Sequence, residues 1–214
     1  MAVAVEAMKS VIFDWGGVLI EDPRPALMQY CARALGVSEA EYVKAHSRWA
    51  TDFQNGLIQE DTFWTRICSA LSTPKPQRKS LWGEAFRAVY RPKREMFCMV
   101  SALHNNGYRT ALLSNTEAPA MRFFYERDYD MFDVLVFSCA EGISKPDIRL
   151  YEITMSRLTC PPKQAVFIDD KPKFIKGGRR LGMHTILFQD PEQVRDDLAK
   201  LGVNIGAGKK GLYR

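Results

Sequence analysis

Five short apolar runs constrain the fold of this chain more than any other feature of its sequence. They cover residues 9–13, 108–113, 134–137, 165–168 and 184–188, and helical segments separate them. The runs show little alternation of apolar and polar residues, which is typical of strands that are buried on both faces of a parallel sheet. The sequence therefore predicts an α/β fold with a mainly parallel sheet.

Polar clusters stand on or beyond the ends of these runs. In a parallel α/β sheet the ligand crevice lies outside the carboxyl ends of the strands. We therefore expect these polar side chains to converge, although they are far apart in the chain. Carboxylates combined with a hydroxyl, an amide and a lysine favour phosphoryl chemistry. The members of this set are Asp14, Ser114, Asn115, Lys145, Asp169 and Asp170.

The segment after the first run differs from the rest of the chain. Residues 21–91 contain no strand-like run and carry several amphipathic helices, so they are predicted to form an inserted α-helical bundle, which we call the cap segment. The α/β core is predicted to comprise residues 8–20 and 92–205. Residues 206–214 are predicted to be a flexible basic tail.

Aromatic residues recur at helical spacing in the cap segment. Ser38 and Glu41 have the spacing of a capping box, and the pattern after them predicts one helix that ends near Gly56. Most of these aromatic residues are expected in the core of the bundle. Three residues of that helix and its tip are expected to contact a substrate: Trp49, Gln54 and Asn55.

Composition and charge narrow the classes of partner. The 214 residues are 46% hydrophobic, and 30 basic against 25 acidic side chains give a net charge of +5, which suits small anionic substrates. We expect no nucleic-acid partner because no basic stripe is interleaved with aromatic residues. We expect no membrane span because no apolar run approaches the ~20 residues that a span needs.

Five widely spaced cysteines without a C-x-x-C indicate reduced thiols in a cytoplasmic protein. The sequence does not decide the oligomeric state between monomer and dimer.

Four sequence motifs, taken in order, resemble those of the haloacid dehalogenase superfamily of Asp-nucleophile hydrolases. The motifs are FDWGGVL, LLSN, SKPD and FIDD. A helical cap between the first and second motifs is similar to that of sugar-phosphate phosphatases, the phosphatase domain of epoxide hydrolases and 2-haloacid dehalogenases. The G-G-V after the first aspartate most resembles bacterial glucose-1-phosphate phosphatases. The resemblance implies a Rossmann-like three-layer core.

The resemblance also implies roles for individual residues. Asp14 would be the nucleophile of an aspartyl-phosphate mechanism, with Ser114, Asn115 and Lys145 completing the catalytic set. The implied cofactor is Mg²⁺, and the implied substrate is a small phosphorylated metabolite, with sugar phosphates among the candidates. The implied metal ligands are Asp14, the Gly16 carbonyl, Asp169 and Asp170.

Two positions depart from the family pattern. Most phosphatases of the family carry an aspartate as general acid where this chain has Gly16, and Asp or Asn where it has Phe174. Glu21, Asp22 or another cap residue is then the expected substitute acid. The three histidines, His46, His104 and His184, have no metal-ligand spacing and are assigned no catalytic role.

These departures leave three classes of function open. The first is a Mg²⁺-dependent phosphatase. The second is a 2-haloacid dehalogenase, in which a halide leaves without a proton, so that Gly16 would be harmless; the paired carboxylates Asp169 and Asp170 argue against it, because they would repel an anionic haloacid. The third is a catalytically weak member that serves as a binding or regulatory module.

Overall fold

A five-stranded parallel sheet forms the centre of the molecule. The computed structural model describes residues 7–206. The strand order is β3-β2-β1-β4-β5, and every neighbouring pair is parallel. The predicted α/β class is confirmed, and each strand lies within one residue of its apolar run. The strands are β1 (Ser10–Phe13), β2 (Arg109–Ser114), β3 (Val134–Phe137), β4 (Ala165–Asp169) and β5 (His184–Leu187).

Helices cover both faces of this sheet. Alternate residues of β1 point to opposite sides, so that Val11 and Phe13 join one hydrophobic cluster and Ile12 joins the other. The three-layer arrangement of the Rossmann-like core follows from this double burial. The helices are α1 (Arg24–Leu35), α2 (Glu39–His46), α3 (Ala50–Gln54), α4 (Glu60–Leu71), α5 (Leu81–Val89), α6 (Arg94–Asn105), α7 (Ala118–Tyr125), α8 (Ser138–Glu141), α9 (Ile148–Leu158), α10 (Pro172–Leu181) and α11 (Pro191–Lys200).

Residue contacts assign the helices to the two faces. Residues of α6, α7 and α11 pack in the cluster that contains Phe13. Residues of α9 and α10 pack in the cluster that contains Ile12. A sheet enclosed in this way leaves its carboxyl edge as the place where polar side chains can gather.

Helices α1 to α5 all lie in the cap segment, and local signals set their ends. Gly36 ends α1 in the left-handed conformation with φ 68°. The capping box is present: the Ser38 hydroxyl accepts from the Glu41 amide, and the Glu41 carboxylate accepts from the Ser38 amide at 3.0 Å.

The prediction of one helix running to Gly56 is wrong. The chain forms two helices, because α2 ends at His46 and α3 begins only at Ala50. The Ser47 hydroxyl donates to the carbonyl of Lys44 at 3.0 Å, which satisfies one of the end carbonyls of α2.

The cap segment packs directly on the rest of the molecule. One continuous hydrophobic cluster includes Trp15 of the core and Phe86 of α5, whose ring centroids are 5.0 Å apart. A side chain at Gly56 would place its Cβ 2.2 Å from the Cys139 carbonyl oxygen, so the turn after α3 closely approaches the backbone of α8. The division into core and cap stays a prediction, because no break in the packing marks it.

Other predictions concern the cysteines, the tail and the membrane. All five cysteines are free. Apart from Gly206, the predicted tail lies outside the described residues. Within residues 7–206, none of the helices has the length and apolar character that crossing a bilayer requires.

Candidate active site

The candidate site lies at the carboxyl edge of the sheet, beside a cavity of about 450 Å³. Asp14 directly follows β1, Ser114 is the last residue of β2, and Asp169 is the last residue of β4. These strands are neighbours in the sheet, which brings the three side chains together. The wall of the cavity on this side contains Asp14, Ser114, Asn115 and Lys145. We call it the strand-side wall.

Lys145 joins two of the carboxylates. Its Nζ lies 2.9 Å from Asp14 Oδ1 and 2.7 Å from Asp169 Oδ2, and it donates to the Leu113 carbonyl at 2.9 Å. Burial opposes the charge on this fully buried ammonium, but the two carboxylates outweigh that effect and raise its pKa. Lys145 is therefore a fixed positive charge at the centre of the site.

Asn115 holds the loop that carries this lysine. Its Nδ2 donates to the Lys145 carbonyl at 3.0 Å, and its Oδ1 accepts from the Lys145 amide at 2.8 Å. This pair of hydrogen bonds fixes the backbone of residue 145 relative to β2. The side chain of Asn115 thus positions Lys145.

Phe174 lies against the same ammonium. The Nζ of Lys145 is 4.9 Å from the ring centroid of Phe174 and 5.4 Å from that of Phe167, within the range of cation–π attraction. An ammonium group has three N–H donors, and three oxygen acceptors already surround this one. An amide or carboxylate at position 174 would therefore find no free N–H on Lys145, which gives a physical reason for the aromatic residue.

Three carboxylates form a cluster that suits a cation. Asp14, Asp169 and Asp170 each offer an oxygen, and these atoms lie within 4.8 Å of one another. Asp170 Oδ1 is buried and has no hydrogen-bond partner. Gly17, with φ 92°, provides the space for this carboxylate, because a Cβ there would lie 2.5 Å from it.

The electrostatics of the cluster support the same assignment. Burial raises the pKa of Asp169 and of Asp170, and the neighbouring charge of Asp14 adds to both shifts. Lys145 opposes the shift at Asp169 but offsets only part of the negative charge. Hard divalent cations prefer such oxygen ligands, so the cluster fits the predicted Mg²⁺. Gly16, the fourth predicted ligand, lies on the wall of the same cavity.

The opposite side of the cavity, which we call the cap-side wall, is built largely by α1, α2, α3 and α5. Of the three cap residues expected to contact a substrate, the structure brings only Gln54 to the cavity. Trp49 packs against the hydrophobic cluster at the start of α3, and Asn55 follows the end of that helix with its Oδ1 buried. The cap-side wall comprises Arg24, Leu27, Met28, His46, Ala50, Thr51, Gln54, Trp82 and Phe86.

Comparison with known proteins identifies the family. Residues 8–182 match the family model described as haloacid dehalogenase-like hydrolase, which is most of the chain. The chain belongs to the haloacid dehalogenase-like hydrolases. The predictions of this family and of a hydrolase are confirmed.

Individual relatives cover the chain to different extents. Acyl-CoA dehydrogenase family member 10 of Mus musculus is 31% identical over 203 residues, which are 90% of this chain but only 19% of the mouse protein. A sesquiterpene phosphatase of Aspergillus oryzae is 25% identical over 82% of this chain and 87% of its own length. A haloacid dehalogenase family enzyme of Bacteroides thetaiotaomicron, solved with magnesium and inorganic phosphate, shares the fold, with 20% identity, a TM-score of 0.70 and coverage of 86% and 95% of the two chains.

Glu21 and Asp22 are the two named candidates to replace the general acid that is absent at position 16, and the structure places them differently. Asp22 lies on the wall of the cavity, and its charge contributes to the raised pKa of Asp170. Glu21 is not on that wall, and its carboxylate lies 4.0 Å from Lys93 Nζ. Of the two, only Asp22 lines the cavity.

Several residues of the site were missed by sequence reasoning. His46 lies on the cap-side wall and stacks on Trp82, with centroids 5.6 Å apart and planes at 10°. Burial, with a smaller effect from Arg24, lowers the pKa of His46 to about 4, so the imidazole is neutral at neutral pH. His104 and His184 do not line the cavity. Glu117 does, and its position three residues after Ser114 was the available signal.

A buried hydroxyl connects the two walls. Thr116 Oγ1 lies 2.7 Å from Ser114 Oγ, and the Thr116 amide donates to Ser138 Oγ at 2.9 Å. Ser138 Oγ in turn donates to the Gln54 carbonyl at 2.7 Å. Ser138 thus holds the loop after β2 and the end of α3 in fixed relation.

Proposed function

We propose that this hydrolase is a Mg²⁺-dependent phosphatase that cleaves phosphate monoesters of small metabolites, including sugar phosphates, through an aspartyl-phosphate intermediate. The observation that carries the proposal is the cluster of Asp14, Asp169 and Asp170 with Lys145 between two of them. The occurrence of a phosphatase among the relatives supports the same class of substrate.

Asp14 is the proposed nucleophile. Attack of its carboxylate on phosphorus would divide the hydrolysis into two displacements, the second made by water on the phosphorylated aspartate. Asp14 Oδ1 accepts from the Trp15 amide at 2.7 Å and lies 2.9 Å from Lys145 Nζ. These two contacts hold the carboxylate in one orientation, which reduces the entropy lost when it attacks.

The transferred phosphoryl group needs positive charge and hydrogen-bond donors. Ser114 and the backbone at Asn115 are the proposed donors, and Lys145 neutralises charge on the nucleophile and on the phosphoryl oxygens. When bound, Mg²⁺ would supply the charge that offsets repulsion between the carboxylates and the phosphate.

The metal would be held by Asp14, Asp170 and the Gly16 carbonyl. Asp169 already accepts from Lys145 Nζ through Oδ2 and from the Lys171 amide through Oδ1. Because both of its oxygens are engaged, a water-mediated contact suits Asp169 better than a direct one. Asp170 Oδ1 has no competing partner.

Dehalogenation is the second candidate. Gly16 favours it, because a departing halide needs no proton. The three clustered carboxylates disfavour it, because they would repel an anionic haloacid unless a cation were present. A catalytically weak binding protein is the third candidate and predicts no turnover of either substrate.

Assays of phosphate release from p-nitrophenyl phosphate and of halide release from 2-chloropropionate separate these three functions. Each is run with Mg²⁺ and with excess chelator, on the wild type and on Asp14→Asn. We expect phosphate release that requires Mg²⁺ and is lost in Asp14→Asn, while circular dichroism shows the fold retained. Halide release, full activity in chelator, or wild-type turnover by Asp14→Asn would each contradict the proposal.

A cytoplasmic location completes the proposal. All five cysteines are free, and free thiols are typical of proteins in reducing compartments. A fluorescent fusion in the source cells would test this placement.

A further inference from the structure

Glu117 is an acid on the cavity wall that the mechanism above does not use. It stands immediately before α7, and its side chain makes no capping hydrogen bond to that helix. Instead, Gln54 Nε2 from the cap-side wall donates to Glu117 Oε1 at 3.3 Å. That distance is long for an N–H···O bond, and a carboxylate accepts several bonds at once. Glu117 therefore retains capacity for a donor in the cavity.

Among the described residues, no basic side chain forms a close ion pair with Glu117. Burial raises the pKa of Glu117, and its own backbone amide, the side chains of Gln54 and Trp82 and the charge of Arg24 offset this only in part. Arg24 itself is exposed at the cavity. Glu117 is half-buried on the cavity wall, so its carboxylate can accept a hydrogen bond from a ligand in the cavity.

The position of Glu117 relative to the reacting group also matters. It follows Ser114 by three residues on the loop after β2, and its hydrogen-bonding partner Gln54 belongs to the opposite wall. Ser138 fixes these two segments together through Thr116 and the Gln54 carbonyl. Glu117 is thus held where the two walls meet, beside the space that a leaving group would occupy.

We propose that Glu117 is the specificity-determining acceptor for a hydroxyl group on the leaving group, so that the preferred substrates are phosphate monoesters of hydroxylated metabolites. This inference rests on the proposed phosphatase function. A hydroxyl donates to Glu117 and at the same time accepts from Gln54 or Arg24, which satisfies groups of both kinds.

Other leaving groups fit this wall less well. An apolar leaving group would remove water from Glu117 and Arg24 without replacing its hydrogen bonds, and sites built for a hydroxyl discriminate strongly against analogues that lack it. A cationic leaving group would gain from Glu117 but would be repelled by Arg24. Glu117 and Arg24 together therefore select a neutral hydroxylated leaving group.

The test compares two esters of equal carbon number, glycerol 1-phosphate and n-propyl phosphate, in the presence of Mg²⁺. The kcat/KM ratio of the two esters is measured for the wild type, Glu117→Gln and Glu117→Leu. Because every protein meets the same pair, the intrinsic difference in ester reactivity cancels between proteins. Glu126→Gln is the matched control, since Glu126 lies at the other end of α7 and contacts Arg87 on the surface.

We expect the wild type to favour glycerol 1-phosphate by on the order of 10²-fold. Glu117→Leu should reduce this ratio at least tenfold, Glu117→Gln should give an intermediate value, and Glu126→Gln should leave the ratio unchanged. Circular dichroism spectra and urea midpoints close to those of the wild type in all three variants would show that they fold.

Two results would overturn the inference. One is an unchanged ratio in Glu117→Leu; the other is a wild-type preference for n-propyl phosphate or for phosphoethanolamine, the cationic probe. Failure of the proposed function looks different, because then the wild type would release no phosphate from p-nitrophenyl phosphate either.

Discussion

The two walls of the cavity are held in place by different means. On the strand-side wall, Lys145 and Asp14 are buried and 2.9 Å apart, and Lys145 also lies 2.7 Å from the buried Asp169 behind the wall. On the cap-side wall, Arg24 is exposed and Gln54 makes a side-chain hydrogen bond of 3.3 Å. The first arrangement orients the reacting atoms, and the second presents polar side chains to the leaving group. The comparison predicts that substitutions on the first wall change the rate on every substrate and those on the second change the order of substrates.

The largest expected effect is on the metal cluster. Asp170→Ala removes the carboxylate with the unpartnered oxygen, so Mg²⁺ should bind poorly and phosphatase activity should fall by about 10³-fold or more, which corresponds to several kcal/mol of lost charge stabilisation. Phosphate release and calorimetric titration with Mg²⁺ measure the two losses. Glu141→Ala, which removes a carboxylate of α8 that contacts Arg157, is the control. Equal Mg²⁺ affinity in Asp170→Ala and wild type would place the metal elsewhere.

The next largest effect is on the leaving-group dependence of the rate, because position 16 holds glycine in place of a general acid. A positioned general acid contributes ~10²- to 10⁴-fold, most for poor leaving groups, so the wild type should show a steep negative slope of log(kcat/KM) against leaving-group pKa. Gly16→Asp should flatten the slope, and there is nearly room for it, because a Cβ at Gly16 would lie 3.3 Å from Pro23 Cδ.

Asp22→Asn completes this experiment. If the wild-type slope is steep, Asp22→Asn should leave it unchanged. A shallow wild-type slope that steepens in Asp22→Asn would instead identify Asp22, which lies on the cavity wall, as the acid in use.

A smaller effect is expected from the cap-side wall. Gln54→Ala should change the kcat/KM ratios among alkyl phosphates by about tenfold, roughly the effect of one or two lost contacts. The reason is that Gln54 faces the cavity and contacts Glu117. Its neighbour Asn55 is the matched control, since the structure does not bring Asn55 to the wall. Steady-state kinetics on a panel of esters measures both. A larger change of ranking in Asn55→Ala than in Gln54→Ala would contradict the assignment of the wall.

The smallest effect on activity is expected from substitution of His46. There the expected effect is on the stability of the fold at low pH. The folded-state pKa of about 4 lies below the ordinary 6.5, so the unfolded chain takes up the proton first as the pH falls. The stability associated with neutral His46 is therefore complete above pH ~6.5 and is lost between about 6.5 and 4, by up to ~3 kcal/mol.

Urea unfolding at pH 7 and pH 4.5 measures this loss. His46→Phe keeps an aromatic ring against Trp82 but cannot be protonated, so it should lose less stability than the wild type between the two pH values. His104→Phe, at a half-exposed position in α6, is the control. Parallel losses in wild type and His46→Phe would show that His46 does not resist protonation.

The same contrast explains how much the sequence could predict. The strand-side residues Asp14, Ser114 and Asp169 were found because strand ends at one edge of a parallel sheet converge whatever the details of packing. The cap-side residues depend on the rotation of short helices about their axes. Trp49 precedes α3 and packs against the hydrophobic cluster, while Gln54 ends that helix at the cavity, and no periodicity in the sequence predicts the break between α2 and α3.

Glu117 and Phe174 show a second limit of sequence reasoning. Glu117 is a single acid after a motif, and its contact with Gln54 joins it to the opposite wall of the cavity. Phe174 was a departure without an explanation until the structure placed its ring 4.9 Å from the Lys145 ammonium, whose three donors were already engaged. Both depend on contacts between segments far apart in the chain.

The hydrogen bond between Ser138 and Gln54 has a consequence for how this hydrolase evolves. Ser138 contacts the backbone carbonyl of Gln54 and not its side chain. Any residue at position 54 that keeps the backbone in place can therefore preserve the connection between the walls. The side chain that faces the substrate can be exchanged without loosening the frame around it, so new substrate preferences are reachable by single substitutions that cost little stability.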